Sequence, residues 1–164
     1  MSIMRRAGSC YLVTFVAGAM ALSMGGAAGL AINAVATAAY VGVVVLFFRI
    51  FGPVDRRLAA VAAVTGLAGC AVSALEVAGA RIGVNPLAIF GAYCLLVGIL
   101  ILESTFVPRV LGVLMLLGGL SWLTFGSPPL ARALAPYNFA PGILGEGLLT
   151  IWLLRGGPPP AVAQ

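Results

Sequence analysis

Charged residues are scarce in this chain, and histidine and lysine are absent. Charged residues make up 8% of the 164 residues, whereas soluble domains carry about a quarter. Apolar residues make up 62%, which is typical of an integral membrane protein. The nine arginines are scattered and form no basic patch interleaved with aromatic side chains, so we expect no nucleic-acid partner.

The absence of histidine also restricts metal chemistry. Cys10, Cys70 and Cys94 form no C-x-x-C pair, so the usual ligand sets for zinc, haem and iron–sulfur clusters cannot be assembled. We therefore expect no metal and no cofactor. Cys70 and Cys94 fall near the middle of apolar runs, where a free cysteine behaves as a small hydrophobic residue; a redox pair is the alternative.

The stretch of residues 86–122 organises the rest of the chain. It consists of two apolar runs joined by residues 103–109, which include Pro108 and Arg109. Each run is about long enough, at 1.5 Å per residue, to cross the roughly 30 Å hydrocarbon core of a bilayer. The pattern predicts a transmembrane helical hairpin with its turn at the membrane surface.

Two further spans precede this hairpin. The chain carries no charge between Arg6 and Arg49, a length of about 63 Å as a helix, or twice one bilayer crossing. Gly25 and Gly26 lie near its midpoint, where glycine permits a tight turn. We predict spans over residues 7–24 and 28–50. A competing interpretation treats the first run as a signal peptide cleaved near Ala27.

The remaining spans follow the turn at residues 51–57. The third, residues 58–75, carries small residues on one face, which predicts close packing at the centre of the bundle; these residues are Ala62, Gly66, Gly69, Cys70, Ser73 and Ala74. The alternative is that an alanine-rich chain shows such a spacing by chance. A proline-rich loop at residues 126–138 precedes a short sixth span, residues 140–155. Tyr137 is expected to anchor one turn of that loop at the membrane interface.

The arginines predict the orientation of an all-α bundle of six transmembrane helices. Seven arginines fall on one side of the membrane, which the positive-inside rule assigns to the cytoplasm together with both termini; they are Arg5, Arg6, Arg49, Arg56, Arg57, Arg109 and Arg155. Arg81 and Arg132 fall on the other side. We expect one domain over residues 1–157 and a disordered tail over residues 158–164.

The two cytoplasmic turns share a pattern. Phe51-x-Pro53 is followed by Arg56-Arg57-Leu58, and Phe106-x-Pro108 is followed by Arg109-Val110-Leu111. The second and third spans and the fourth and fifth spans are thus candidates for a parallel repeat, a device that membrane proteins use. The alternative is that any cytoplasmic turn favours Phe, Pro and Arg.

Several motifs in the C-terminal half resemble a known family. They are Phe106-x-Pro108-Arg109-x-Leu111-Gly112, a following glycine pair, Gly145-Glu146 and residues 152–156. Together they resemble a bacterial family of six-helix integral membrane proteins classified only as a domain of unknown function, number 4386. The resemblance covers residues 101–157, extends more loosely to the turn at residues 49–58, implies six helices and supplies no activity.

Polar residues inside apolar spans indicate where a function would lie, because each costs several kcal/mol unless it is paired or hydrated. The candidate binding residues are Asn33, Thr37, Tyr40, Glu76, Glu146 and Thr150. For the stripe in the second span the alternative is hydrogen bonding between helices, and for Glu76 it is an ordinary solvated helix end. Glu146 should face the bundle interior and contact that stripe or an outer arginine.

These observations favour a protein of the bacterial inner membrane that binds a lipid or a small hydrophobic molecule, or serves as an assembly subunit, without covalent catalysis. The expected partners are the lipid bilayer, such a ligand, and a second copy or another membrane protein. The alternatives are an intramembrane enzyme that uses Glu146 as acid or base with Tyr40 or Asn33 orienting the substrate, and a small oligomeric transporter.

Overall fold

The structure is a computed structural model that describes residues 1–80 and 82–156. Arg81 and the predicted tail at residues 158–164 lie outside the described residues. Within them the fold is all-α. Seven α-helices follow one another: α1 (Ile3–Ser23), α2 (Gly26–Phe51), α3 (Arg56–Val77), α4 (Pro86–Glu103), α5 (Arg109–Leu123), α6 (Pro128–Leu134) and α7 (Ala140–Arg155).

Capping residues set several helix boundaries. The Asp55 carboxylate accepts a hydrogen bond from the backbone N–H of Leu58 and so begins α3. Asn85 caps α4 in the same way, and Pro86 occupies its first turn, where the missing N–H costs nothing. Gly26 has a φ of 69°, which a glycine adopts without strain and which lets α2 start directly after α1.

The six longer helices form a closed ring in chain order. Each helix from α1 to α5 packs against its neighbour in sequence, α5 packs against α7, and α7 returns to α1. The prediction that the third span lies at the centre is therefore wrong, because α3 packs between α2 and α4 as a member of the ring. The centre is filled instead by large side chains such as Tyr11, Tyr93 and Met115.

The hairpin of α4 and α5 has the most extensive interface in the ring. Two glycines of α4 each face a glycine of α5, Gly91 opposite Gly119 and Gly98 opposite Gly112. A Cβ atom added at Gly91 would lie 2.8 Å from the carbonyl oxygen of Gly119. The two backbones thus approach as closely as small residues allow, which is how helices associate in lipid.

The small-residue face of α3 also has packing partners. A Cβ atom added at Gly66 would lie 2.7 Å from Val44 of α2 and 3.0 Å from Tyr93 of α4. Gly69 lies in the same way against Phe90. Of the predicted stripe, Ala74 is exposed and the other members are buried.

Four helical segments are long and apolar enough to cross a membrane: Gly26–Phe51, Arg56–Val77, Pro86–Glu103 and Arg109–Gly126. The last of them combines α5 with a short 3-10 turn. Many of their large apolar side chains point out of the bundle, Val64 and Val110 among the most exposed. An outer surface of this kind suits lipid rather than water, so the chain is a membrane protein.

The connection between α5 and α7 is more ordered than the predicted loop. It contains α6 and a 3-10 turn over Tyr137–Phe139. Tyr137 is highly exposed there, and Asn138 is buried. The amide of Asn138 donates hydrogen bonds to the Thr124 hydroxyl and to the carbonyl oxygen of Ala131, which hold this connection against the end of α5.

Candidate functional site

Glu146 is buried at the interface between α7 and α5. The indole Nε1–H of Trp122 donates a hydrogen bond of 2.6 Å to its Oε1 atom. Gly142, one turn before Glu146 on α7, makes room for the indole, because a Cβ atom at that position would overlap the ring of Trp122. Counting 1.5 Å per residue, Glu146 lies about 14 Å from the end of α7 at Arg155.

Three tyrosine hydroxyls are buried in the same region of the bundle. Tyr11 comes from α1, Tyr40 from α2 and Tyr93 from α4, and none of the three hydroxyls has a hydrogen-bond partner in the structure. The Tyr11 hydroxyl and the Cys94 thiol neighbour the carboxyl group of Glu146, and the Tyr11 hydroxyl also neighbours that of Tyr40. We call Tyr11, Tyr40, Tyr93, Cys94, Trp122 and Glu146 the central cluster.

Ring contacts hold the tyrosines in place. The ring centroid of Tyr40 lies 5.8 Å from that of Tyr11 and 5.8 Å from that of Tyr93, in edge-to-face arrangements. The ring centroids of Phe90 and Tyr40 lie 4.5 Å apart. Such aromatic pairs add about 0.5–1.5 kcal/mol each beyond the area they bury. The tyrosines thus join α1, α2 and α4 across the centre of the ring.

The residues that the sequence singled out lie in four places. Glu146 and Tyr40 belong to the central cluster, and Thr150 lies beside it with its hydroxyl bonded to the carbonyl oxygen of Glu146. Thr37 is half-buried and shares a 3.0 Å hydrogen bond with Ser73 of α3. Asn33 lines a separate cleft, and Glu76 is exposed at the end of α3. These candidate residues therefore do not form one group.

The prediction for the side chain of Glu146 is confirmed only in part. Its side chain faces the interior, but its hydrogen-bond donor is Trp122 of α5 rather than the α2 stripe or an arginine. Tyr11, Tyr93, Cys94 and Trp122 were not singled out as site residues. Tyrosine and tryptophan in apolar spans look like ordinary core or interface residues in a sequence, and only their convergence on Glu146 distinguishes them.

A cleft opens between α1 and α2 near the turn that joins them. Its volume is about 440 Å³, and it is lined by Gly18, Ala21, Met24, Gly26, Gly29, Leu30 and Asn33. Asn33 contributes the one polar side chain to this lining. Space at Gly18 is open, since a Cβ atom there would meet nothing within 4 Å. The lining therefore suits an apolar molecule that carries one hydrogen-bonding group.

The acidic and sulfur-containing side chains do not converge on a metal site in the part of the chain that the structure describes. No three of its Cys, Asp and Glu residues lie together, and histidine is absent from the whole sequence. The chemistry available to the central cluster is hydrogen bonding and proton exchange through one carboxyl group, three hydroxyls and one thiol.

A family model supports the resemblance seen in the sequence. The model described as "Domain of unknown function (DUF4386)" matches residues 81–157, which contain α4 to α7. The predicted resemblance is thus confirmed over this part of the chain, which includes Trp122 and Glu146. The search of curated proteins and the search of solved structures each found no match.

Proposed function

We propose that this protein binds a lipid or a lipid-like molecule within the membrane and catalyses no covalent chemistry. The observation that carries this proposal is the apolar cleft between α1 and α2, about 440 Å³ in volume. That volume lies within the range of roughly 300–1,000 Å³ found for small-molecule sites.

The depth of the cleft favours a lipid over a water-soluble molecule. Gly18 lies six residues before Met24 at the end of α1, and Asn33 lies seven residues after Gly26 at the start of α2. At 1.5 Å per residue the cleft therefore reaches about 10 Å from the connecting turn towards the middle of the bundle. An acyl chain fits the uncharged lining at this level, and the Asn33 amide offers a hydrogen bond to an ester or hydroxyl oxygen.

The separation of the cleft from the central cluster argues against the enzymatic alternative. Glu146 is the one buried acidic side chain, and it does not line the cleft. A general acid or base must come within hydrogen-bonding reach of the reacting group, about 2.6–3.2 Å or one water molecule away. A molecule held in the cleft does not meet this condition.

We further propose that six helices span the membrane with both termini in the cytoplasm. The support is that α1 and α7 close the ring with the four segments that are long and apolar enough to cross a membrane. Arg5 lies next to Gly156 at one end of the bundle, and Phe51 stacks on Phe106, with 5.8 Å between ring centroids. These contacts support a common side for the ends of α1 and α7 and both arginine-bearing turns, and the positive-inside rule favours the cytoplasm as that side. We propose the bacterial inner membrane as the location.

The stacked pair of Phe51 and Phe106 also supports the parallel repeat. These are the equivalent residues of the two turns in the sequence, and the fold brings them face to face at an interplanar angle of 25°. This contact supports two similar hairpins whose turns lie side by side at the same end of the bundle.

Blocking the cleft tests the proposed function. The protein is purified in mild detergent, and co-purifying lipids are quantified by mass spectrometry for the unchanged protein and for Gly18→Phe. The unchanged protein should retain about one lipid per chain, and Gly18→Phe should lose it because its ring fills the cleft. Gly147→Phe is the matched control, since Gly147 on α7 also has open space and lies outside the cleft lining.

The outcomes separate the candidate functions. Loss of the lipid in Gly18→Phe with retention in Gly147→Phe supports the cleft as the binding site. An unchanged protein with no stoichiometric lipid overturns the proposal and favours the role of an assembly subunit. Equal retention in both variants also overturns it, because the lipid must then bind elsewhere.

A further inference from the structure

The central cluster has hydrogen-bonding capacity that the fold itself does not use. The hydroxyls of Tyr11, Tyr40 and Tyr93 are buried without partners, whereas the large majority of buried side-chain polar atoms in proteins have one. All three tyrosines lie in the same part of the bundle as Glu146. A buried group left unpaired costs about 1–3 kcal/mol, so three of them at one place call for an explanation other than packing.

The chemistry of the neighbours suits two protonation states of Glu146. The indole of Trp122 is a donor only, so it can hold one carboxyl oxygen whether or not the carboxyl group carries a proton. The Tyr11 hydroxyl, which neighbours the same carboxyl group, is both a donor and an acceptor. It can donate to the carboxylate and, after rotation, accept from the carboxylic acid.

The room around Glu146 restricts what can bind. The ring of Tyr40 packs against those of Tyr11 and Tyr93, and Met115 and Leu149 are fully buried in the same core. A proton needs no cavity, whereas an organic ligand or a hydrated ion does. The geometry therefore favours the smallest ligand that a carboxyl group takes.

We propose that Glu146, held by Trp122 and neighboured by the unpaired hydroxyl of Tyr11, is an intramembrane proton-binding site. Uptake of one proton from bulk water converts the carboxylate to the carboxylic acid, and no other bond is made or broken. Acidic residues within membrane spans serve as proton sites in pumps and transporters, which makes this chemistry a general use of such a position. The proposal is independent of the lipid cleft.

The groups that face Glu146 define what else can titrate there. Among the described residues, these groups include no arginine. They are Tyr11 of α1, Tyr40 of α2, Tyr93 and Cys94 of α4, and Cys70 of α3, which lies beyond Tyr93. Trp122 of α5 does not titrate. A tyrosine or a cysteine has an ordinary pKa near 10 or 8.5, well above that of a carboxyl group, so a transition below neutral pH is readily attributed.

Trp122 provides a built-in reporter. Trp122 and Trp152 are the two tryptophans of the chain, so Trp152→Phe leaves Trp122 as the single indole. We expect its fluorescence to show one transition between about pH 4 and about pH 9, a range that covers ordinary and strongly shifted carboxyl groups. Adding Glu146→Gln should abolish the transition, and adding Glu103→Gln, which removes an exposed carboxylate, should leave it unchanged.

A second variant tests the role of Tyr11. In the Trp152→Phe background, Tyr11→Phe removes one hydroxyl and keeps the ring. The pH midpoint of the fluorescence transition should move by about one to two pH units. A shift of this size corresponds to the free energy of one hydrogen bond to a charged group. A purely structural Glu146 would give no transition in any of these proteins.

Infrared spectroscopy gives an answer even if Glu146→Gln fails to fold. The chain has four acidic residues, so combining Asp55→Asn, Glu76→Gln and Glu103→Gln leaves Glu146 as the single carboxyl side chain. Asparagine preserves the helix cap at position 55. A carboxylic C=O band that appears and disappears with pH supports the proposal, whereas a band that stays constant, or a fluorescence transition that persists in Glu146→Gln, overturns it.

Discussion

Trp122 and Glu146 are joined by a 2.6 Å hydrogen bond that crosses the interface between α5 and α7. Of the four acidic residues, Glu146 is the one that the fold buries, while Asp55 is half-buried and Glu76 and Glu103 are exposed. The indole reaches the carboxyl group because Gly142 has no side chain beneath it. The packing of α5 against α7 at this point therefore depends on both the hydrogen bond and the missing side chain of Gly142.

Trp122→Phe should destabilise the bundle, because the buried carboxyl group of Glu146 loses its N–H donor. The expected loss is about 1–3 kcal/mol, the usual cost of leaving a buried group unpaired, seen as a lower thermal midpoint in detergent. Trp152→Phe is the matched control, since Trp152 is only half-buried and its indole is not bonded to Glu146. Equal midpoints for the two variants would contradict this role of the indole.

Glu146→Gln should fold with nearly unchanged stability, because the amide oxygen still accepts the hydrogen bond from Trp122. Glu146→Leu should be less stable by about 1–3 kcal/mol, since it leaves the indole N–H without a partner in the core. Thermal unfolding in detergent measures both. The same substitution at the exposed Glu103 provides the control, and a Leu variant as stable as the Gln variant would show that the hydrogen bond adds nothing.

Gly142→Ala should weaken the packing of α5 against α7, because the new methyl group overlaps the indole of Trp122. We expect a loss of about 1–3 kcal/mol, the typical cost of overpacking a core. Gly147→Ala on the same helix meets open space and should be neutral or slightly stabilising, since alanine favours helix over glycine by about 1 kcal/mol. Thermal midpoints that fall in the reverse order would refute the steric argument.

Gly66→Leu should destabilise the contacts of α3 with both of its neighbours. Even a Cβ atom at this position lies 2.7 Å from Val44 and 3.0 Å from Tyr93, so a leucine forces the helices apart at a cost of about 1–3 kcal/mol or more. Val64→Leu, on the exposed face of α3, should have little effect. An unchanged detergent melting temperature for Gly66→Leu would mean that this face packs more loosely than the structure shows.

The orientation of the bundle is tested by labelling single cysteines in a cysteine-free background. Tyr137→Cys lies in the exposed turn before α7 and should react with a membrane-impermeant maleimide applied to intact cells. Thr105→Cys lies exposed in the turn between α4 and α5 and should react only after the membrane is opened. Labelling of Thr105→Cys from outside would reverse the proposed topology.

The sequence predicted the helices closely because their signals are local. The fourth helix begins at Pro86 and ends at Glu103, as its apolar run and its proline indicate, and α7 has the predicted bounds of residues 140–155. The connection at residues 126–138 was predicted less well. Asn138 donates to Ala131 of α6 and to Thr124 at the end of α5, and a sequence rich in proline does not reveal these long-range contacts.

Composition and the spacing of charges by themselves determined that this chain is a helical membrane protein, because each span must satisfy its own backbone hydrogen bonds and meet lipid with apolar side chains. Only the tertiary structure decided which helices are neighbours, and hence that α3 belongs to a ring instead of the centre. It also decided that Tyr11, Tyr40 and Tyr93 meet around the level of Glu146. No local sequence pattern links residues that lie so far apart in the chain, so their convergence depends on how the helices pack.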